Sequence, residues 1–323
     1  MTKIIIFDVT FSSVSRHLEA VLSSVAHANV DIKICYLSGP PSFEREGIKF
    51  QKVLFLSNLK ADILVIFGYR IPDIALLHYF KDCVKTVYVQ HGYYRRDMHR
   101  TVGGVFQNWQ RVLQYSINIL ELLMSTGQLN YIGYFWSTWV SFKDCDADAE
   151  NSPDFGYVYS DEWADYHRRF IGWGSTKYRR LSAFEPKKIY KNTTGLKFQY
   201  VAQTLVEDGR IKRSFFQDAL RELVDNNNTG KIAILLHPRS DRTIYGEVSD
   251  KFEYFDDRCF DVLTYGHYST LLLYLASKKC VVRTLDLPNH PVPDDFLALL
   301  NDTKKLPSFT NNPAKSNISI LTS

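Results

Sequence analysis

Four short clusters in this sequence carry side chains suited to phosphate and proton chemistry. Leu235-Leu236-His237-Pro238-Arg239 sets an imidazole and a guanidinium directly after an apolar run, where such groups can neutralise charge growing on a departing phosphate. Ser269 and Thr270 follow Tyr265-Gly266-His267-Tyr268 and open the helical run Leu271 to Ala276, so their hydroxyls, the first backbone N–H groups and the positive end of the helix dipole all favour an anion. Gln203, Glu207, Asp208 and Gly209 occupy one turn after a third apolar run. In Val89-Gln90-His91-Gly92-Tyr93-Tyr94-Arg95 an imidazole titrating near neutrality is suited to take a proton from an attacking hydroxyl, and Gly92 lets the backbone turn sharply beside it. Tyr93, Tyr94 and Arg95 can stack on or hydrogen-bond a sugar. The pair Asp256-Asp257 reads as a surface connection, and neither a metal nor any other cofactor is expected.

Each cluster alone also fits an ordinary turn. Their placement is more telling. Lys231 to Leu236 is almost continuously apolar, which is how a strand buried on both faces of a parallel sheet reads. His237, Pro238 and Arg239 then fall at its carboxyl end, the edge where open α/β sheets bind ligands. In the first half, strands are predicted over 3–9, 31–37, 61–68, 84–90 and 155–160, with helices over 13–27, 72–80 and 161–170. In the second half, strands are predicted over 196–201, 231–236, 280–284 and near 260–264, with helices around 214–224 and from Ser269 onward. Strands alternating with helices imply parallel βαβ units and a doubly wound sheet in each half. The basic, Gly- and Pro-containing stretch 173–192 reads as a loop-like boundary, which gives domains over 1–172 and 193–306. Residues 307–323, rich in Asn, Ser, Thr and Pro, read as a flexible tail.

A chain of 323 residues suits two domains of ordinary size, and 45% hydrophobic with 23% charged residues is a soluble globular composition. The net charge of +4 is too mild for a dedicated nucleic-acid binder but compatible with anionic substrates. Five scattered cysteines without a CxxC pair argue against zinc and fit free thiols in a reducing cytoplasm. The amino terminus reads as a first strand rather than a signal peptide, and no apolar run is long enough to span a bilayer, so a cytoplasmic location is expected. From about 103 to 145 the first half carries an aromatic helical insertion that includes Trp109, Trp136 and Trp139. It follows Arg95, Arg96 and Arg100, and two readings stand: helices packing on the first sheet, which is preferred, or a segment in peripheral contact with the inner membrane, where a lipid-linked acceptor would be found.

Two α/β domains joined by one linker resemble the GT-B glycosyltransferase architecture, in which Rossmann-like sheets face each other across a cleft. The His237-Pro238 element resembles that of bacterial sialyltransferases and of the CDP-glycerol glycerophosphotransferases, and Ser269-Thr270 resembles their Ser-Ser/Thr element, which grips the donor phosphate. The segment Tyr200 to Gly209 is similar to the start of the second domain in capsule-polysaccharide Kdo transferases. Glu207-Asp208-Gly209 also resembles the acidic motif of sialyltransferases, although in that family the motif lies in the first domain. His91-Gly92 resembles the glycerophosphotransferase element whose His is the proposed base. The resemblance implies a metal-independent glycosyltransferase moving a sugar from a nucleotide donor, preferably CMP-linked sialic acid or Kdo, onto a capsule, lipopolysaccharide or lipooligosaccharide acceptor. His91 would be the base, and His237, Ser269 and Thr270 would stabilise the leaving phosphate, with Gln203, Glu207, Asp208, Gly209, Pro238 and Arg239 completing the donor side. A CDP-polyol phosphotransferase, a nucleotide-sugar 2-epimerase and a non-catalytic scaffold of the same plan are the alternatives.

Overall fold

The computed structural model describes residues 1–10, 16–26, 28–38, 47–52, 60–83, 85–93, 109–129, 131–133, 152–181, 188–193, 195–227, 230–237, 240–256, 258–287 and 290–305. These divide into two compact units, one carrying 1–93 and 110–181 and the other 109 and 188–305.

The first unit runs β1 (Thr2–Thr10), α1 (Arg16–Val25), β2 (Val30–Ser38), β3 (Ile48–Lys52), β4 (Ile63–Ile66), α2 (Ile71–Tyr79), β5 (Lys85–Val89), α3 (Trp109–Thr126), β6 (Phe155–Val158), α4 (Asp161–Tyr166) and β7 (Lys177–Arg180). All its strand pairs are parallel, in the order β3-β2-β1-β4-β5-β6-β7. Continuous apolar runs form the central strands because both faces are covered: Ile4, Ile6, Val65 and Val87 join Leu18, Val21, Leu22 and Val25 in one core cluster. Those last four side chains follow the i, i+3, i+4, i+7 spacing that puts them on one face of α1. Truncating one of them, such as Leu18 to Ala, is expected to cost roughly 2–5 kcal/mol.

The second unit runs β8 (Lys188–Tyr190), β9 (Leu196–Val201), α5 (Arg213–Asp225), β10 (Lys231–Leu235), α6 (Arg242–Gly246), β11 (Phe252–Phe255), β12 (Arg258–Phe260), β13 (Leu263–Gly266), α7 (Thr270–Ser277), β14 (Val282–Thr284) and α8 (Asp294–Lys305). Its main sheet is also wholly parallel, in the order β11-β10-β9-β13-β14, while β8 and β12 pair separately. Each unit is thus a Rossmann-like α/β sheet in which the strand order reverses beside the first strand, between β1 and β4 in one and between β9 and β13 in the other.

Three local expectations fail for identifiable reasons. The stretch 173–192, expected to be a loop, contains β7 and β8. Lys177, Arg179, Arg180 and Lys188 are exposed on these strands, so a paired backbone carries a loop-like composition. The strand expected near 260–264 is two strands. Buried Gln199 on β9 donates to the Phe260 carbonyl at 2.7 Å and accepts from the Phe260 N–H at 2.9 Å, which detaches Phe260 from the main sheet; β13 starts at Leu263. The helix expected over 161–170 is α-helical only to Tyr166 and continues as one wide π-type turn over His167–Ile171, closed by Gly172 at φ +81°. In that turn His167 is fully buried, stacked on Trp173 and Tyr178 with ring centroids 5.7 and 5.9 Å away. Residues 307–323 and 134–145 of the aromatic insertion lie outside the described residues. The insertion's α3 buries Ile119, Leu122 and Leu123 and exposes Trp109, Leu113, Ile117 and Met124. Among the described residues, no helix is long and apolar enough to cross a membrane.

Candidate functional site

In the second unit, register brings three turns side by side. Val201 lies level with Leu235 of β10 and with Gly266 of β13. Gln203, His237 and Ser269 therefore all follow strand ends on one carboxyl edge, and the switch point runs between the first and third turns. Gln203 bridges it: its Oε1 accepts from the Tyr268 N–H at 3.1 Å.

Ser269 has extended backbone and caps α7, its Oγ accepting from the Leu271 N–H at 3.2 Å while its carbonyl accepts from Leu272 N–H at 3.0 Å. Much of the helix start is therefore satisfied from within, more than a bare phosphate cradle would be. The cap bond leaves the serine proton unused, and the first turn of α7 contains no acid. Gly266 lets this helix lie close to β13, since a Cβ there would stand 2.9 Å from Leu272 Cδ1.

The other two turns are held by hydrogen bonds. In the turn after β9, the Thr204 hydroxyl donates to Asp208 Oδ2 at 2.7 Å, the Asp208 N–H donates to the Thr204 carbonyl at 2.8 Å, and Gly209 adopts φ +69°. Asp208 is thus engaged in shaping its own loop. The turn after β10 is closed by the Ser240 N–H donating to the His237 carbonyl at 2.8 Å and the His237 N–H donating to Ser240 Oγ at 3.2 Å. His237 is exposed. Glu207 Oε1 accepts from the Asp241 N–H at 2.8 Å, while Glu207 Oε2 is buried without a hydrogen-bond partner among the described residues. Burial, ahead of the nearby Asp208 and Asp241 charges, raises the Glu207 pKa. Pro238 and Arg239 lie outside the described residues.

In the first unit the matching edge is richer in rings. Gln90 is fully buried, its N–H donating to the Tyr157 carbonyl and its Oε1 accepting from the Tyr159 N–H, both at 2.9 Å, which fixes the backbone that delivers His91. The His91 ring meets that of His17 edge-on at 5.2 Å, and His17 Nε2 hydrogen-bonds the Tyr159 hydroxyl at 2.7 Å. His91 retains exposed surface, yet enough protein surrounds its ring to withdraw it from bulk water. That burial, followed by the charge of Arg70, pushes its pKa down to about 4. The shift lies below the near-neutral value expected for this imidazole and favours its neutral form. Gly92 is buried, and Tyr93 packs against Tyr166 with ring centroids 6.0 Å apart; Tyr94 and Arg95 lie outside the described residues.

Arg70, Asp73, His17 and Tyr159 on this edge, and Ser240 and Asp241 on the other, were not singled out in the sequence. Strand order, rather than any motif, brings them to the edges. Among the described residues no group of three or more His, Cys, Asp or Glu side chains could hold a metal ion.

No family model and no curated protein sequence matches this chain. Solved structures resemble it loosely. The glycotransferase of kitacinnamycin aligns over 93% of this chain and 84% of its own at 10% identity, with a TM-score of 0.46. Sucrose-phosphate synthase from Thermosynechococcus elongatus covers 88% and 81% at 9% identity and 0.45. The UDP-GlcNAc 2-epimerase of Methanocaldococcus jannaschii, solved with UDP-GlcNAc and UDP, covers 99% and 97% at 12% identity and 0.41. Likeness at this level leaves function to the chain's own residues.

Proposed function

We propose that this chain is a glycosyltransferase that moves a sugar from a nucleotide-activated donor to a bacterial surface glycan, with CMP-linked sialic acid or Kdo as the preferred donor. The observation that carries the reading is the start of α7: a serine hydroxyl and the positive end of a helix at the switch point of a Rossmann-like sheet, with no acid in the first turn. The exposed His237, after β10 with β9 between it and β13, adds a group able to donate to a phosphate oxygen.

In this reading the acceptor hydroxyl gives its proton to the neutral His91 imidazole as its oxygen attacks the sugar carbon. The bond from that carbon to the phosphate oxygen breaks, and its electron pair stays on the departing nucleotide, where His237 and Ser269 offset the charge. A base with a pKa of about 4 holds the captured proton weakly, so positioning of the hydroxyl contributes more to the rate than basicity. The test is nucleotide release from CMP-sugar donors by His237→Ala and His91→Ala. Each is expected to lose roughly 100-fold or more in turnover. Near-normal rates in both would remove the assigned roles.

A further inference from the structure

We propose that Glu207 is the positioning residue of the donor edge: by accepting the Asp241 N–H it fastens the turn after β9 to the turn carrying His237, and so sets where that imidazole stands. Its importance for the reaction rests on the reading of this edge as the donor side; the latch itself does not.

The hydrogen bonds form a continuous chain. Glu207 Oε1 takes the Asp241 N–H at 2.8 Å. Asp241 in turn caps α6, its Oδ1 accepting from the Thr243 N–H at 2.9 Å and the Thr243 hydroxyl at 2.8 Å. His237 and Ser240 are joined by two hydrogen bonds, and Ser240 adjoins Asp241, so a shift of Asp241 is passed back to His237. His237 stands just after β10, and Glu207 reaches Asp241 from another loop. Glu207 is itself a firm anchor, because the Thr204–Asp208 bond and the left-handed Gly209 brace its loop.

Glu207 is also the dispensable part of this region's stability. α6 is tied independently to α5: Arg213 donates to Glu247 Oε1 at 2.6 Å, and Gln217 donates to the Ile244 carbonyl at 3.0 Å and to Glu247 Oε2 at 2.9 Å. The helix therefore keeps its place when the latch is cut, while the turn before it gains freedom. A glutamine at 207 retains the carbonyl acceptor and so retains the latch. The groups facing this carboxyl are Asp208, Asp241, Tyr200 and Tyr245.

The experiment has two arms on the full chain. In nucleotide-free protein, the imidazole C–H resonances of His237, identified by their disappearance in His237→Ala, are expected to move in Glu207→Ala and to keep their wild-type positions in Glu207→Gln. Unmoved resonances in Glu207→Ala, or equal displacement in both variants, overturn the latch. In calorimetric titrations with CMP, CDP and UDP, Glu207→Ala is expected to bind about 10- to 100-fold more weakly than wild type, with Glu207→Gln close to wild type. If the resonances move but wild type binds no nucleotide, the latch stands and the donor reading falls. Should Glu207→Ala fail to fold, Glu207→Asp carries both arms: it keeps the charge but is one methylene too short to reach Asp241, and wild-type behaviour in it overturns the proposal.

Discussion

The fourth strand of each main sheet, in chain order, leads to a glycine with a helix pressed against it, and the two helix starts carry different side chains. In the first unit β4 leads to Gly68, where a Cβ would stand 2.6 Å from Asp73 Oδ2. Asp73 sits in the first turn of α2, accepts the Arg70 N–H at 3.0 Å, and is almost wholly buried. That carboxyl group occupies the helix start and is paired with Arg70, whose Nε lies 3.7 Å from Oδ2. In the second unit β13 ends at Gly266, and α7 opens with the Ser269 hydroxyl and no acid. Similar strand-to-helix turns thus give one helix start filled by a buried carboxyl group of its own and one that carries a hydroxyl and no acid. The two units differ here through a few side chains placed on a shared plan.

The most direct way to break this comparison is to give α7 what α2 has. Ser269→Asp keeps a good helix cap but places a negative charge where the phosphate would sit. Nucleotide affinity measured by calorimetry should fall about 100-fold, with the unfolding midpoint nearly unchanged. Unaltered affinity would mean that α7 does not receive the anion.

A smaller effect separates the two glycines. Gly68→Ala and Gly266→Ala each overpack a strand–helix contact, at a cost of about 1–3 kcal/mol in denaturant-determined stability. Gly68→Ala should be the worse, because its neighbour is a buried carboxylate held by a backbone N–H, whereas Gly266 meets a leucine side chain. The reverse order would show that Asp73 can yield.

The third measurement concerns acid sensitivity, which the first unit should carry. Burial pushes the His167 pKa from 6.5 down to about 3, so below pH 6.5 the unfolded chain takes a proton that the folded chain refuses. Stability is therefore lost as pH falls through that window and levels off near the folded value. Between pH 6.5 and pH 5 the loss from this one group is about 2 kcal/mol. Asp73 and Glu207, whose pKa values are raised, act in the opposite sense, losing stability as pH rises from the ordinary carboxylate range. His167→Phe isolates the histidine term: its stability should fall less than that of wild type between pH 7 and pH 5. Equal slopes in the two proteins would assign the sensitivity elsewhere.

The alternation of apolar runs with amphipathic ones was enough to read both Rossmann-like sheets, because β1, β4 and β10 are buried on both faces and leave little room for polar residues. The sequence misled where burial and composition part company. Basic β7 is paired yet exposed. Gln199, a polar residue at the centre of the second sheet, divides what reads as one strand into β12 and β13. The clusters around Gln203, His237 and Ser269 were legible as turns after strands, and parallel register aligns all three. The partners that orient them were not. Asp241 becomes visible only once the turn after β9 is known to lie beside that after β10, and the depressed pKa of His91 depends on burial and, after it, on Arg70, 21 positions earlier in the numbering.

β7 has a further consequence, for how copies of this protein behave together. As the last strand of its sheet, it offers an outer row of backbone donors and acceptors that another extended chain could zip onto. Its sequence Lys177-Tyr178-Arg179-Arg180 makes that approach unfavourable, because two such edges would bring six cations together. The protection is electrostatic and thus conditional. At physiological ionic strength the repulsion reaches about 8 Å, and near 1 M salt only about 3 Å. Concentrated protein in high salt should accordingly lose colloidal stability before it loses its fold.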